Sequence, residues 1–275
     1  MNVAPYVREA GHGESVICLH SSVSSGGQWQ SLMDRLSSRW RVLAPNLYGY
    51  GKNAPQDRLA DYRLADEFDW LAPVFERAGD QFHLVGHSYG GLVALVAALQ
   101  MPSRVKSVAV FEPAAWSLAV HADAAHPGAV EIVSIRRQTI HLVETGELDT
   151  AAEKFMRYWA GSEAWEAMPA ERRRNTVRGM IKVRGEYLAE MRAHDSGEAS
   201  LSALSRLALP VLYLIGAETK VAVRRSAELL APALRNGRRV DLTGVGHMGP
   251  VTHPDAVNRE IDAFLASQKR RDGSS

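Results

Sequence analysis

The hydrophobic positions of the chain fall into two alternating rhythms. Short, nearly unbroken apolar runs occur at Ser15-Val16-Ile17-Cys18-Leu19-His20, Trp40-Arg41-Val42-Leu43-Ala44-Pro45, Phe82-His83-Leu84-Val85, Val105-Lys106-Ser107-Val108-Ala109-Val110-Phe111 and Val211 to Ile215. Their length and β-branched content predict strands covered on both faces. Briefer strands are expected at Tyr6-Val7-Arg8 and Arg239 to Leu242. Between these runs, apolar residues recur three and four positions apart: Trp29, Leu32, Met33 and Leu36, then Leu64, Phe68, Leu71, Val74 and Phe75. That spacing predicts amphipathic helices, with further ones over Ala94 to Leu99, Arg225 to Leu234 and Asp255 to Ala266. Strand–helix alternation predicts an α/β fold, a mostly parallel central sheet with helices on both faces.

From about Pro113 to Leu207 the alternation stops, and only helical spacing remains. It is seen in Ile132, Ile135, Thr139 and Leu142, in Leu148, Ala152, Phe155 and Trp159, and in Val177, Ile181, Leu188 and Met191, with Pro169 placed to open the last helix. The expected organisation is a core domain formed by residues 1–113 and 208–275 and an inserted all-helical cap over residues 114–207.

Composition narrows the function classes without naming one. The chain has 275 residues and a net charge of +1, which gives no reason to expect nucleic acid or an anionic membrane as a partner. Cys18 is the only cysteine, so no internal disulfide forms, and its place in an apolar run suits a small core residue. Residues Met1 to Tyr6 lack a basic stretch followed by an apolar one, and no apolar run is long enough to span a bilayer. The expected location is cytoplasmic, with Gln268 to Ser275 as a frayed polar tail. No histidine spacing matches a metal motif, so no metal and no cofactor is expected. Arg172-Arg173-Arg174 lies among acidic residues and reads as a solvated helix face.

The most informative stretch is Gly86-His87-Ser88-Tyr89-Gly90, which fits G-x-S-x-G between an apolar strand and an Ala-rich helix. A serine on so sharp a turn adopts strained backbone angles, and glycines on either side provide the clearance. Its hydroxyl then stands at a helix N-terminus, which favours developing negative charge.

Together with His20-Ser21-Ser22, the turn Asn46 to Gly51, Phe111-Glu112-Pro113, Leu214-Ile215-Gly216 and Gly244-Val245-Gly246-His247-Met248, this motif resembles the α/β-hydrolase fold superfamily over nearly the whole chain. The resemblance implies Ser88 as nucleophile and His247 as general base. It places the acid a few residues after Ile215, where Thr219 stands instead of the usual aspartate. Glu112 at the end of the preceding strand is the favoured substitute, and Glu218 the less favoured one. The resemblance also implies an oxyanion hole from the backbone N–H groups of Tyr89 and Ser22, with Ser21 replacing a glycine and offering a hydroxyl as a third donor. Ser21, Trp116, Trp159 and Met248 are candidate pocket residues, and Phe155, Met156 and Trp165 could join the aromatic wall. The expected activity is a cofactor-independent serine hydrolase, cleaving a small, mostly apolar ester, thioester or lactone. Hydrolytic C–C cleavage of a diketone-type substrate and a small-molecule binding protein with little turnover are the alternatives.

Overall fold

The computed structural model describes residues 4–51 and 59–272. Seven strands form one sheet: β1 (Val7–Ala10), β2 (Ser15–Leu19), β3 (Arg41–Pro45), β4 (Phe82–His87), β5 (Val105–Phe111), β6 (Val211–Gly216) and β7 (Gly237–Leu242), in the order β1-β3-β2-β4-β5-β6-β7. β1 is antiparallel to β3, and every other pairing is parallel. Successive side chains point to opposite faces of a strand, so the inner strands feed two separate cores. Ile17, Leu19, Leu84, Val108, Val110 and Tyr213 join the larger one, and Val16, Cys18, Val85, Ala109, Leu212 and Leu214 the other.

Helices α1 (Gln30–Leu36), α2 (Leu64–Ala78) and α3 (Tyr89–Gln100) alternate with the first strands. Between β5 and β6 the chain runs only through helices: α4 (Ser117–Ala122), α5 (Pro127–Glu144), α6 (Leu148–Ala160), α7 (Ser162–Glu166), α8 (Ala170–Asp195) and α9 (Leu201–Leu204). α10 (Val221–Ala233) separates β6 from β7, and α11 (Gly249–Thr252) and α12 (Pro254–Asp272) close the chain. The four short helices α4, α7, α9 and α11 were not expected, because fewer than two turns leave no periodicity to read. The expected tail is partly helix: α12 runs to Asp272 with Gln268 buried, while Gly273–Ser275 and Met1–Val3 lie outside the described residues. Among the described residues, no helix is long and apolar enough to cross a membrane.

The longest helix, α8, turns differently from its expected orientation. Ile181 and Met191, two of the apolar residues that marked it, are exposed. Lys182, Glu186 and Glu190, four residues apart on one face, are buried instead. α8 therefore carries a charged stripe into the interior, above the carboxyl ends of the strands.

Candidate active site

The turn from β4 into α3 holds Ser88 at φ 53 and ψ −119, a conformation that a residue with a side chain rarely adopts. Glycines make the bend possible: a Cβ on Gly86 would meet the Gly90 carbonyl at 2.4 Å, and one on Gly90 the Leu19 carbonyl, also at 2.4 Å. The strained serine is fixed from several directions. Its N–H donates to the Phe111 carbonyl (3.0 Å), and its own carbonyl accepts from Ala114 (2.9 Å) and Gly91 (2.9 Å).

Ser88 Oγ lies 3.2 Å from His247 Nε2, and His247 Nδ1–H donates to Glu112 Oε2 at 2.6 Å. All three residues are buried. Glu112 is also held at a positive φ of 45 just beyond β5, which makes it, after Ser88, another strained residue in this line. Its remaining lone pairs are satisfied by the Gly216 N–H on Oε1 (2.8 Å) and the Thr219 hydroxyl on Oε2 (2.8 Å). Thus the position expected to bear an aspartate carries a threonine that orients the glutamate. Glu218 is exposed, and its N–H bonds the Val245 carbonyl; it does not take the acid's place.

Such a line of groups can move a proton from a hydroxyl to an imidazole whose far N–H is anchored. The loop that faces it, after β2, is built differently from expectation. Ser21 does not take a left-handed conformation; Val23 does, with φ 49. The Ser21 hydroxyl and N–H both donate to Gln28 Oε1, at 2.9 and 3.2 Å. This commitment removes the hydroxyl as a third oxyanion donor. Gln28 Nε2 donates to His87 Nδ1 (3.1 Å), and His87 Nε2–H donates to the His247 carbonyl (2.9 Å). Burial holds the His87 imidazole well below its ordinary pKa, consistent with this neutral tautomer. Gln28 and His87 therefore tie the loop after β2 to the loop carrying His247. Neither role could be read from sequence, since both depend on groups that only the fold brings near. Tyr89 opens α3, so its N–H has no partner within the helix.

A narrow cavity of about 40 Å³ opens onto these groups. Ser21, Ser22, Ser88, Tyr89, Trp116, Trp159, His247 and Met248 all line it, as do Phe155, Met156, Val183, Tyr187, Glu186 and Glu190. Trp116 and Trp159 stack on each other with centroids 4.8 Å apart, and Trp159 covers the His247 ring at 4.4 Å. Trp165 does not line the cavity; the Arg173 guanidinium sits 4.4 Å over its ring instead. Arg172 and Arg174 are exposed, and Arg172 borders the cavity.

The helices between β5 and β6 bring charge to this wall. Lys182 Nζ donates to Glu67 Oε2 (2.9 Å) with both side chains fully buried, and the same carboxylate accepts from Tyr62 Oη and from the Tyr48 N–H. Tyr62 in turn bonds the Tyr89 hydroxyl at 2.8 Å. Glu190 accepts from Ser117 N and Oγ and pairs with Arg136. Glu186 Oε2 accepts from Ser22 Oγ at 2.5 Å, and burial, partly offset by the Lys182 ammonium, pushes its carboxyl up to about 7. No sequence pattern flagged these carboxylates, because charged residues on a helix are read as its solvent face.

One group of potential metal ligands that no sequence spacing marked does come together: His121 in α4 meets His194 and Asp195 at the end of α8. The imidazoles stack with centroids 3.9 Å apart and planes 26° from parallel. One ligand atom from each of the three residues lies within 4.8 Å of the other two.

A family model described as alpha/beta hydrolase fold matches residues 14–254. The chain is similar to a pimeloyl-[acyl-carrier protein] methyl ester esterase of Aeromonas hydrophila, with 28% identity covering 94% of this chain and 98% of the relative. It is also similar to the (E)-2-((N-methylformamido)methylene)succinate hydrolase of Acinetobacter baylyi, with 23% identity over 94% of this chain and 92% of that one. Among solved structures, the enol-lactonase from Burkholderia xenovorans LB400 shares the fold with a TM-score of 0.73 at 19% identity, covering 95% of this chain and 96% of that one. By the match across its sheet and elbow, and by relatives that are esterases and hydrolases, the chain belongs to the α/β-hydrolase fold family and is a hydrolase.

Proposed function

We propose that the chain is a serine hydrolase that cleaves a small, mostly apolar carboxylic ester, thioester or lactone through an acyl-enzyme. The observation that carries this reading is the continuous line Glu112–His247–Ser88, with contacts of 2.6 and 3.2 Å. Ser88 Oγ attacks the carbonyl carbon while His247 Nε2 takes its proton, and Glu112 holds the imidazole in the tautomer that can accept it. The negative oxygen of the tetrahedral intermediate is held by the N–H groups of Tyr89 and Ser22. As the carbon–oxygen or carbon–sulfur bond breaks, His247 returns the proton to the leaving group. Water, activated by the same imidazole, then attacks the acyl-enzyme and frees Ser88.

The helices between residues 114 and 207 act in this reading as a cap that walls the acyl site with Trp116, Phe155, Met156 and Trp159. The narrow cavity supports a small acyl group, and the named esterase relatives support the ester bond. The test is hydrolysis of p-nitrophenyl esters of increasing acyl length by the wild type and by Ser88→Ala. Turnover with a stoichiometric burst, abolished in Ser88→Ala, is expected for short acyl chains. Equal rates in the two proteins would refute the reading.

A further inference from the structure

Beside its aromatic and aliphatic wall, the cavity is lined by the reacting groups, by the hydroxyls of Ser21, Ser24 and Tyr187, by Arg172 at its border, and by two carboxylates, Glu186 and Glu190. Glu190 is fully engaged by Ser117 and Arg136. Glu186 is not. The residue is 3% exposed, its Oε2 accepts from Ser22 Oγ, and its Oε1 has no hydrogen bond of good geometry. The Tyr50 hydroxyl lies beside Glu186 and favours its ionised form, but it too is buried without a bond of good geometry. Lys182, one turn earlier on α8, donates to Glu67 rather than to Glu186. A buried acceptor left open costs stability, and so it is retained at a site where something else satisfies it.

We infer that Glu186 is the recognition group for a hydrogen-bond donor on the acyl part of the substrate, so that the preferred substrates are hydroxyacyl or aminoacyl esters rather than plain alkanoates. This inference rests on the proposed ester hydrolysis at Ser88. Ser22 links the two: its N–H is the assigned oxyanion donor, and its Oγ donates to Glu186. A donor that reaches Glu186 therefore sits only a few bonds from the reacting carbonyl. Above about pH 7, where Glu186 is ionised, it repels an acyl chain that ends in a carboxylate of its own.

The test compares p-nitrophenyl 3-hydroxybutyrate, p-nitrophenyl butyrate and the p-nitrophenyl hemiester of succinate, in the wild type, Glu186→Leu and Glu186→Gln. Wild type is expected to favour the hydroxyacyl ester over the butyrate by about 10-fold or more in kcat/KM. The hemisuccinate is expected to be the poorest of the three. Glu186→Leu should bring the hydroxyacyl-to-butyryl ratio close to one, with Glu186→Gln between. No preference in the wild type overturns the inference. So does an equal slowing of both neutral esters in the variants, since that is what a merely structural role would give. Should Glu186→Leu fail to fold, the ratio in Glu186→Gln decides. If the wild type turns over none of the esters, the reading of Ser88 fails. NMR titration with 3-hydroxybutyramide and butyramide then decides the role of Glu186 separately: tighter binding of the former supports it, and equal binding overturns it.

Discussion

Glu112→Gln changes one oxygen into an NH₂ group, and the contacts of Glu112 dictate where that group must go. Oε1 receives the Gly216 N–H, a backbone donor that cannot become an acceptor. Oε2 receives the Thr219 hydroxyl, which can rotate to accept, and the His247 Nδ1–H. The amide nitrogen therefore takes the Oε2 place and donates to His247 Nδ1. The ring's proton is then forced onto Nε2, the atom 3.2 Å from Ser88 Oγ that should be taking a proton. The geometry stays intact while the base is lost, and a wrong tautomer of this kind lowers kcat by about 10⁴-fold, or about 5.5 kcal/mol of transition-state stabilisation. The assay is steady-state kcat/KM on p-nitrophenyl acetate, with thermal unfolding as a check that the fold survives. Thr219→Val, which removes only the outer bond, is expected to cost about 10-fold. A Glu112→Gln variant within 10-fold of wild type would refute the assignment of Glu112 as the group that sets the His247 tautomer.

Other outcomes follow from groups buried around the site. Lys182→Met leaves the Glu67 carboxylate buried without its cation and is expected to cost about 3–5 kcal/mol in urea unfolding, whereas Lys182→Met combined with Glu67→Leu recovers much of it. A loss below about 1 kcal/mol in the single variant would contradict the role of this pair in fastening α8 to α2. His20 donates from Nδ1 to the Ser21 carbonyl and accepts the Leu47 N–H on Nε2, and burial holds it down to about 4, against an ordinary 6.5. The unfolded chain takes up that proton first as pH falls, so the contribution of His20 is complete above pH 6.5 and is lost on the way down to pH 4. It amounts to at most about 3 kcal/mol. The stability of wild type relative to His20→Asn should shrink over that window, and a constant difference would show that His20 is not held neutral.

The five inner strands were legible because they are buried on both faces and read as unbroken apolar runs, as in Val105 to Phe111. The elbow was legible because a strained serine needs glycines at fixed offsets. The acid was harder. Thr219 occupies its usual position, and two glutamates were candidates to replace it, one adjacent in sequence and one at the end of the preceding strand. The sequence favoured Glu112 without excluding Glu218, and the fold turns Glu112 inward at a positive φ and leaves Glu218 in solvent. The orientation of α8 could not be read for a different reason. Its inward face carries Lys182, Glu186 and Glu190, each bonded to a group more than 60 residues away in sequence. Hydropathy periodicity assigns charges to water, and it fails where a helix turns its charges inward.

The central claim is that Ser88 is a nucleophile activated by His247, and the most direct measurement is covalent labelling with a fluorophosphonate, with the adduct located by mass spectrometry. The account expects one adduct, on Ser88, formed rapidly in the wild type and at least about a thousandfold more slowly in His247→Ala. An adduct elsewhere, none at all, or the same labelling rate without the imidazole would contradict it.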